Sequence, residues 1–306
     1  MGPTVTATPA TGTPDRGATI AYALIALLGC ALWLVSTRYP GHMPVIGPYE
    51  FSWPIYLCVT LSGLWFQRGL GRLAPASRPG WLRQVAFWAG LAVIWIATQT
   101  GFEYLAQRMF FINRIQHVGM HHVGPLLLAV SAGGPAIMAG APAWLVRIVA
   151  ARPVAAAYRV LQQPVLAAVL FVGLFWFWLI PPVHFQAMLD PRLYALMNAS
   201  MIVDGILFWA LVLDTRPAPP ARVRFGYRAA LAVAVMFPQM ILGALITFAT
   251  TDLFPYYAYC GRYFASVSAV ADQQIGGIVI WIPPAMMSVI ALLAVLGNMR
   301  RAGADL

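Results

Sequence analysis

TIAYALIALLGCALWLVS, residues 19–36, is an unbroken apolar run. A helix needs about 20 such residues to cross a bilayer, whereas the apolar region of a cleaved leader is shorter and ends in a small-residue cleavage site. The expectation is therefore a retained first membrane helix. Comparable runs recur along the chain at roughly 52–66, 84–101, 117–140, 164–181, 195–213, 228–249 and 273–296, of which the second is short. The fold class expected is all-α, a polytopic bundle of about eight (seven to eight) transmembrane helices.

Composition agrees with this. Hydrophobic residues make up 61% of the 306 and charged residues 9%, against about 25% charged in ordinary soluble domains. Net charge is +10, and every basic residue is Arg. In a soluble protein that excess would point to nucleic acid. Here the arginines gather in short loops instead, which is the positive-inside pattern, and no nucleic-acid partner is expected.

Arg16, Arg68, Arg72, Arg78, Arg83, Arg147, Arg152, Arg159, Arg216, Arg222, Arg224, Arg228, Arg300 and Arg301 fall on one side of an eight-span topology, while Arg38, Arg108, Arg114, Arg192 and Arg262 fall opposite. This asymmetry predicts that both termini are cytoplasmic. Three regions follow: a Pro, Thr and Gly-rich disordered cytoplasmic tail over 1–18, a single transmembrane helical domain over 19–299, and a cytoplasmic tail over 300–306.

On that topology all five histidines are external or in the outer leaflet: His42 in a loop, His117, His121 and His122 opening the fourth span, and His184 closing the fifth. Ionisable groups within spans are costly and mark cavities, ion sites or proton paths. Residues four apart share a helix face, so His117 and His121 form a two-nitrogen clamp, with His122 turned by about 100 degrees. A third ligand from His184 and soft sulfur from Met120, Met43, Met188 or Cys260 favour copper. The competing reading makes the imidazoles hydrogen-bond glue between helices.

Asp272, Gln273 and Gln274 open the last span, followed by Gly276 and Gly277. Asp272 reads either as part of a helix start or as the carboxylate that orients an imidazole. Asp204 is an acid inside a span, where a partner on another helix or a proton relay is expected. Cys30 and Cys58 read as packing residues and Cys260 as a lone thiol. No nucleophile motif, P-loop or dinucleotide fingerprint occurs, so catalysis is not expected.

FINRIQHVGMHHVGPLLLAVSAGGPAIMAGAP (111–142), WLIPPVHFQAMLDPRLYALMNASMIVDGILFWALVL (178–213), TTDLFPYYAY (250–259) and DQQIGGIVIWIP (272–283) together resemble the polytopic CtaG-type cytochrome c oxidase assembly factors. The resemblance covers roughly residues 84–296 and is most specific at Asp-Gln-Gln. It implies a multi-pass protein of the bacterial plasma (inner) membrane that handles copper for haem-copper oxidase subunits, with periplasmic copper chaperones as further partners and the bilayer as solvent. It marks His117, His121, His184, Asp272 and Gln273 as functional positions. Tyr194 and Asn198 stand where that family has further histidines, and Val118 where Met is usual; His122 and Met120 are the compensating ligands. The alternatives are a metal-free accessory subunit of a respiratory oxidase, a copper or proton transporter, and a haem-binding electron-transfer protein with His121 and His184 as axial ligands.

Overall fold

A computed structural model describes residues 16–303; of the predicted tail over 1–18, residues 1–15 lie outside the described residues, as do residues 304–306, while residues 16–18 open the first helix. The described chain is helical throughout and has no strand. Helix α1 (Arg16–Arg38) is followed by α2 (Trp53–Arg72), α3 (Trp81–Thr98) and α4 (Phe102–Arg108). Helix α5 (Phe110–Val118) runs through a π-helical turn, Gly119–Val123, into α6 (Gly124–Ser131) and then α7 (Gly134–Gly140). Next come α8 (Ala143–Ala150), α9 (Arg152–Leu161), α10 (Pro164–Phe177), α11 (Pro181–Leu189) and α12 (Pro191–Val212). The chain ends with α13 (Phe225–Ala234), α14 (Met236–Thr247), α15 (Tyr256–Tyr259) and α16 (Ala269–Arg301).

Five helical stretches are long and apolar enough to cross a membrane: α1, α3, α12, α13 with α14, and α16. Two bent pairs raise the number to as many as seven: Phe110–Ser131 with Gly134–Gly140, bent by 75°, and Arg152–Leu161 with Pro164–Phe177, bent by 72°. The protein is thus a multi-pass membrane helix bundle. The expected span at 52–66 is helix α2, which at 20 residues reaches about 30 Å but carries Gln67, Arg68 and Arg72 in its last turns.

Helix α1 leaves its apolar side chains outward, with Ile20, Leu24 and Leu27 each at least 60% exposed, as a lipid-facing helix does. It is tied to α2 by the Tyr56 hydroxyl, which donates to the Ile25 carbonyl at 2.7 Å, and by the Trp65 indole, which donates to the Tyr22 hydroxyl at 2.9 Å. The densest packing surrounds α16, which lies along α5, α13 and α14, while α12 packs on α6, α10 and the π-helical turn.

The Asp-Gln-Gln segment fastens this packing. Both Asp272 oxygens accept from the first amides of α5, Phe110 N–H at 3.0 Å and Phe111 N–H at 2.8 Å. Arg262 pairs with the same carboxylate and lies 3.5 Å from Asp252. Asp272 is therefore a cap supplied from another helix, satisfying donors that Met109 leaves open at the start of α5. Gln273 accepts from Leu253 N–H at 2.7 Å and donates to the Thr251 carbonyl at 3.1 Å. The expectation that Asp272 orients an imidazole is corrected: its lone pairs go to backbone amides and a guanidinium. Gly276 permits this contact, since a Cβ there would overlap the Phe110 ring.

Glu103, in α4 between two spans, is 6% exposed and its Oε2 has no hydrogen-bond partner among the described residues. Burial, reinforced by the nearby Glu50 charge, holds its carboxyl well above the usual range. A folded-state pKa above the unfolded value gives stability that is present at low pH and is lost as pH rises. Glu103→Gln is accordingly expected to raise the melting temperature at pH 8 and leave it unchanged near pH 4; equal effects at both would contradict the assignment. Asp272→Ala is expected to cost about 3 kcal/mol, because it leaves two helix amides uncapped and Arg262 with only the longer Asp252 contact, measured by unfolding in detergent against Asp252→Ala as the milder control.

Candidate functional site in the bundle interior

The local backbone at the histidines follows from Pro125. Proline has no amide hydrogen, so the carbonyl of His121, four residues earlier, loses its helical partner. The chain widens into a π-turn instead, closed by Gly124 N–H on the Gly119 carbonyl. Such bulges re-aim the side chains they carry and recur at functional sites. Here the turn brings consecutive imidazoles together: the Nδ1 atoms of His121 and His122 are 3.1 Å apart and their rings meet edge-on, with centroids 4.6 Å apart.

This changes the expected clamp. An ideal helix pairs His117 with His121, whereas the π-turn pairs His121 with His122. His121 Nε2 then reaches Asp204 on α12 at 3.3 Å, and His122 Nε2 reaches the Gln239 side-chain oxygen on α14 at 3.0 Å. Proton positions follow from these partners. The Gln239 oxygen only accepts, so His122 Nε2 carries a hydrogen and its Nδ1 accepts from His121 Nδ1–H. One further proton lies between His121 Nε2 and Asp204. Three helices are thereby joined by a directed chain, Asp204 to His121 to His122 to Gln239.

The walls are aromatic. His121 stacks on Phe171 at 4.2 Å and lies parallel to Phe175 at 5.6 Å, while His122 meets the edges of Phe171, Phe175 and Trp209. Both histidines are fully buried. They also lie deeper than expected. The helix begins at Phe110 rather than 117, which puts His121 eleven residues in, about 17 Å at 1.5 Å per residue. Arg114, Asn113 and Gln116 begin this span because they face the bundle, where lipid does not meet them.

Gly205 sets the fit between helices. A Cβ there would overlap the freed His121 carbonyl oxygen, so α12 can lie against the π-turn and present Asp204 only with glycine at that position.

A second polar group surrounds His117. Its nitrogens have no hydrogen-bond partner among the described residues, although it is fully buried beside the Arg114 guanidinium. Arg114 is also fully buried; it stacks over Phe110 at 4.9 Å and donates to the Asn113 side chain. His184 is satisfied differently: Nδ1–H donates to the Trp178 carbonyl at 3.2 Å, and Nε2 accepts from the Tyr257 hydroxyl at 3.1 Å. Tyr194 donates to the Gln116 side chain at 3.1 Å, and Asn198, 3% exposed, lies one turn further along α12. Met120 is fully buried on the π-turn, and His42 is exposed on its loop beside Tyr39.

The expected set of His117, His121 and His184 is therefore divided between two clusters. Among the described residues, no group of three or more His, Cys, Asp or Glu side chains is placed to hold a metal ion. His121 and His184, the pair of the haem alternative, have separate hydrogen-bond partners. The partner of Asp204 on another helix is the His121 imidazole. Gln239 was missed from sequence; a lone amide between apolar residues, next to Pro238, was its signal.

A family model described as cytochrome c oxidase caa3 assembly factor matches residues 64–302. Uncharacterized proteins of Mycobacterium bovis and Mycobacterium tuberculosis are each 26% identical over 232 residues, covering 69% of this chain and 33% of theirs. An uncharacterized protein of Mycobacterium leprae is 24% identical over 237 residues, covering 72% of this chain and 34% of its own. The chain thus spans about a third of the length of these curated relatives. No solved structure matches it.

Gly205→Val is expected to destabilise the protein by about 1–3 kcal/mol through overpacking, with Gly205→Ala intermediate, as measured by unfolding in detergent. A neutral Gly205→Val would contradict the contact described here.

Proposed function

The chain belongs to the cytochrome c oxidase caa3 assembly factor family, and we propose that it assists maturation of a haem-copper oxidase by carrying a copper ion on the His121–His122 pair. The family supports the assembly role and an association with the oxidase. The copper is cargo in this reading, and the protein has no catalytic function.

The observation that carries the reading is the facing Nδ1 pair at 3.1 Å. Two bonds of about 2.0–2.1 Å, the usual length from an imidazole nitrogen to zinc, span such a gap with little movement, and imidazole suits copper among the first-row metals. The hydrogen between the two nitrogens occupies the place a cation would take. Exchanging that proton for a monovalent ion leaves the charge of the buried site unchanged, which matters where uncompensated charge is costly. Met120 on the same turn offers the thioether that favours Cu(I). Asp204 and Gln239 hold the outward nitrogens of both rings and so fix their orientation. His117, with both nitrogens unpartnered among the described residues, lies toward the outer end of the same helix and serves as an approach ligand.

The orientation proposed places the Arg-rich loops and both termini in the cytoplasm. The bundle end carrying Arg114, His184 and Asp272 then faces the periplasm, where copper chaperones and the oxidase's copper subunit meet it. The membrane in this reading is the bacterial inner membrane.

Protein reconstituted anaerobically with Cu(I) is expected to retain about one ion, and His121→Ala/His122→Ala to lose it, whereas His184→Ala keeps it. The same double variant is expected not to restore oxidase activity in a strain lacking the gene. Copper retention by the double variant would remove the site. Restored oxidase without copper retention would leave the assembly role and remove copper carriage, and normal oxidase in the deletion strain would remove the assembly role itself.

A further inference from the structure

A cavity of about 740 Å³ opens at the opposite end of the bundle from Asp272. Its floor is apolar, with Leu91 from α3, Leu128 from α6 and Leu211 from α12; its rim carries Arg216, Arg222 and Arg228. The break between α6 and α7 makes room for it: Ala132 adopts a left-handed conformation with φ 49° and turns the chain aside, which takes α7 away toward α2.

Three arginines face one acid on this rim. Asp214 pairs with Arg216 at 2.8 Å, and although burial pushes its carboxyl up, the Arg216 hydrogen bonds hold it below the usual range. Arg222 donates to the Arg159 carbonyl at 2.6 Å. Arg228 is 1% exposed; it donates to the carbonyls of Asp214 and Arg216, stacks on Phe225 at 4.8 Å, and keeps an Nε–H without a partner among the described residues. The rim therefore retains an excess of two positive charges and a buried, unused guanidinium donor. A water-filled pocket explains neither the apolar floor nor the buried cation. An amphiphile with one anionic head and an acyl chain matches both.

We propose that this cavity binds an anionic phospholipid from the leaflet on the Arg-rich side, its phosphate held by Arg216, Arg222 and Arg228 and its acyl chain lying on Leu91, Leu128 and Leu211. Basic pockets between membrane helices at the headgroup level select anionic lipids in this way. The lipid bridges α3, α6, α12 and α13, and so braces the far end of the two helices that carry His121 and Asp204. The site is independent of copper, since it rests on neither imidazole.

The test uses the full chain in an uncharged detergent, with phosphatidylglycerol, phosphatidylcholine or inorganic phosphate added at equal phosphorus. Bound lipid is counted by native mass spectrometry and stabilisation is followed by thermal melting. Phosphatidylglycerol is expected to bind at least about 10-fold tighter than phosphatidylcholine. Arg216→Gln/Arg222→Gln, which alters two exposed side chains, is expected to weaken it about 30-fold, at about 1 kcal/mol per arginine. Ala210→Phe, which puts a ring into the cavity and leaves every charge in place, is expected to weaken it comparably, and Arg300→Gln/Arg301→Gln not at all. Equal binding of phosphatidylcholine, equal protection by inorganic phosphate, unchanged affinity in the Ala210→Phe protein, or an equal loss in the Arg300→Gln/Arg301→Gln protein would each overturn the proposal.

Discussion

The contact of Gly205 with the carbonyl of His121 sets the geometry on which the rest depends. Pro125 leaves that oxygen without its helical partner, and in a bundle surrounded by lipid an unpaired backbone group has no water to turn to. The π-turn and the close approach of α12 are the joint solution. Once α12 lies that close, Asp204 reaches His121, and the ring of His121 is turned onto His122. The chain from Asp204 to Gln239 is then a consequence of backbone geometry as much as of the side chains in it.

Lipid removes the hydrophobic drive that would otherwise hold helices together, so polar contacts and close packing of small residues take over. The protein uses both at two levels. Toward one end, Asp272 and Gln273 join α16 to α5 and to the loop before α15. At mid-bundle, the imidazole chain joins the π-turn to α12 and α14. The same economy creates a competition at the histidines: a hydrogen-bonded core and a metal clamp use the same nitrogens. The facing Nδ1 atoms are where the two meet, because a proton and a cation are interchangeable there, whereas the outward nitrogens serve only to fix the rings. His184 has no such freedom, with both nitrogens committed to the Trp178 carbonyl and the Tyr257 hydroxyl.

Much of the fold was legible because apolar length is a strong signal. The helical class and the multi-pass character come directly from runs such as 19–36 and 273–296. The start of the histidine helix was not legible: Asn113, Arg114 and Gln116 interrupt the apolar run, and hydropathy cannot tell a polar residue that ends a span from one that faces the interior. The bends after Ser131 and Leu161 were hidden for a related reason, since each leaves the apolar pattern intact on both sides. Among site residues, His121, His122 and Asp204 stood out as polar groups in apolar surroundings. Their pairing did not, because helix phase was read as 3.6 residues per turn across a segment that Pro125 forces wider. Asp272 was visible as important, yet its partners are backbone amides, which leave no trace in side-chain chemistry.

Copper K-edge X-ray absorption on the Cu(I)-loaded protein tests the central claim most directly. The account predicts a first shell containing two imidazole nitrogens that collapses in the His122→Ala protein and survives in the His184→Ala protein. A shell made of sulfur alone, or one that depends on His184 and is indifferent to His122, would contradict it.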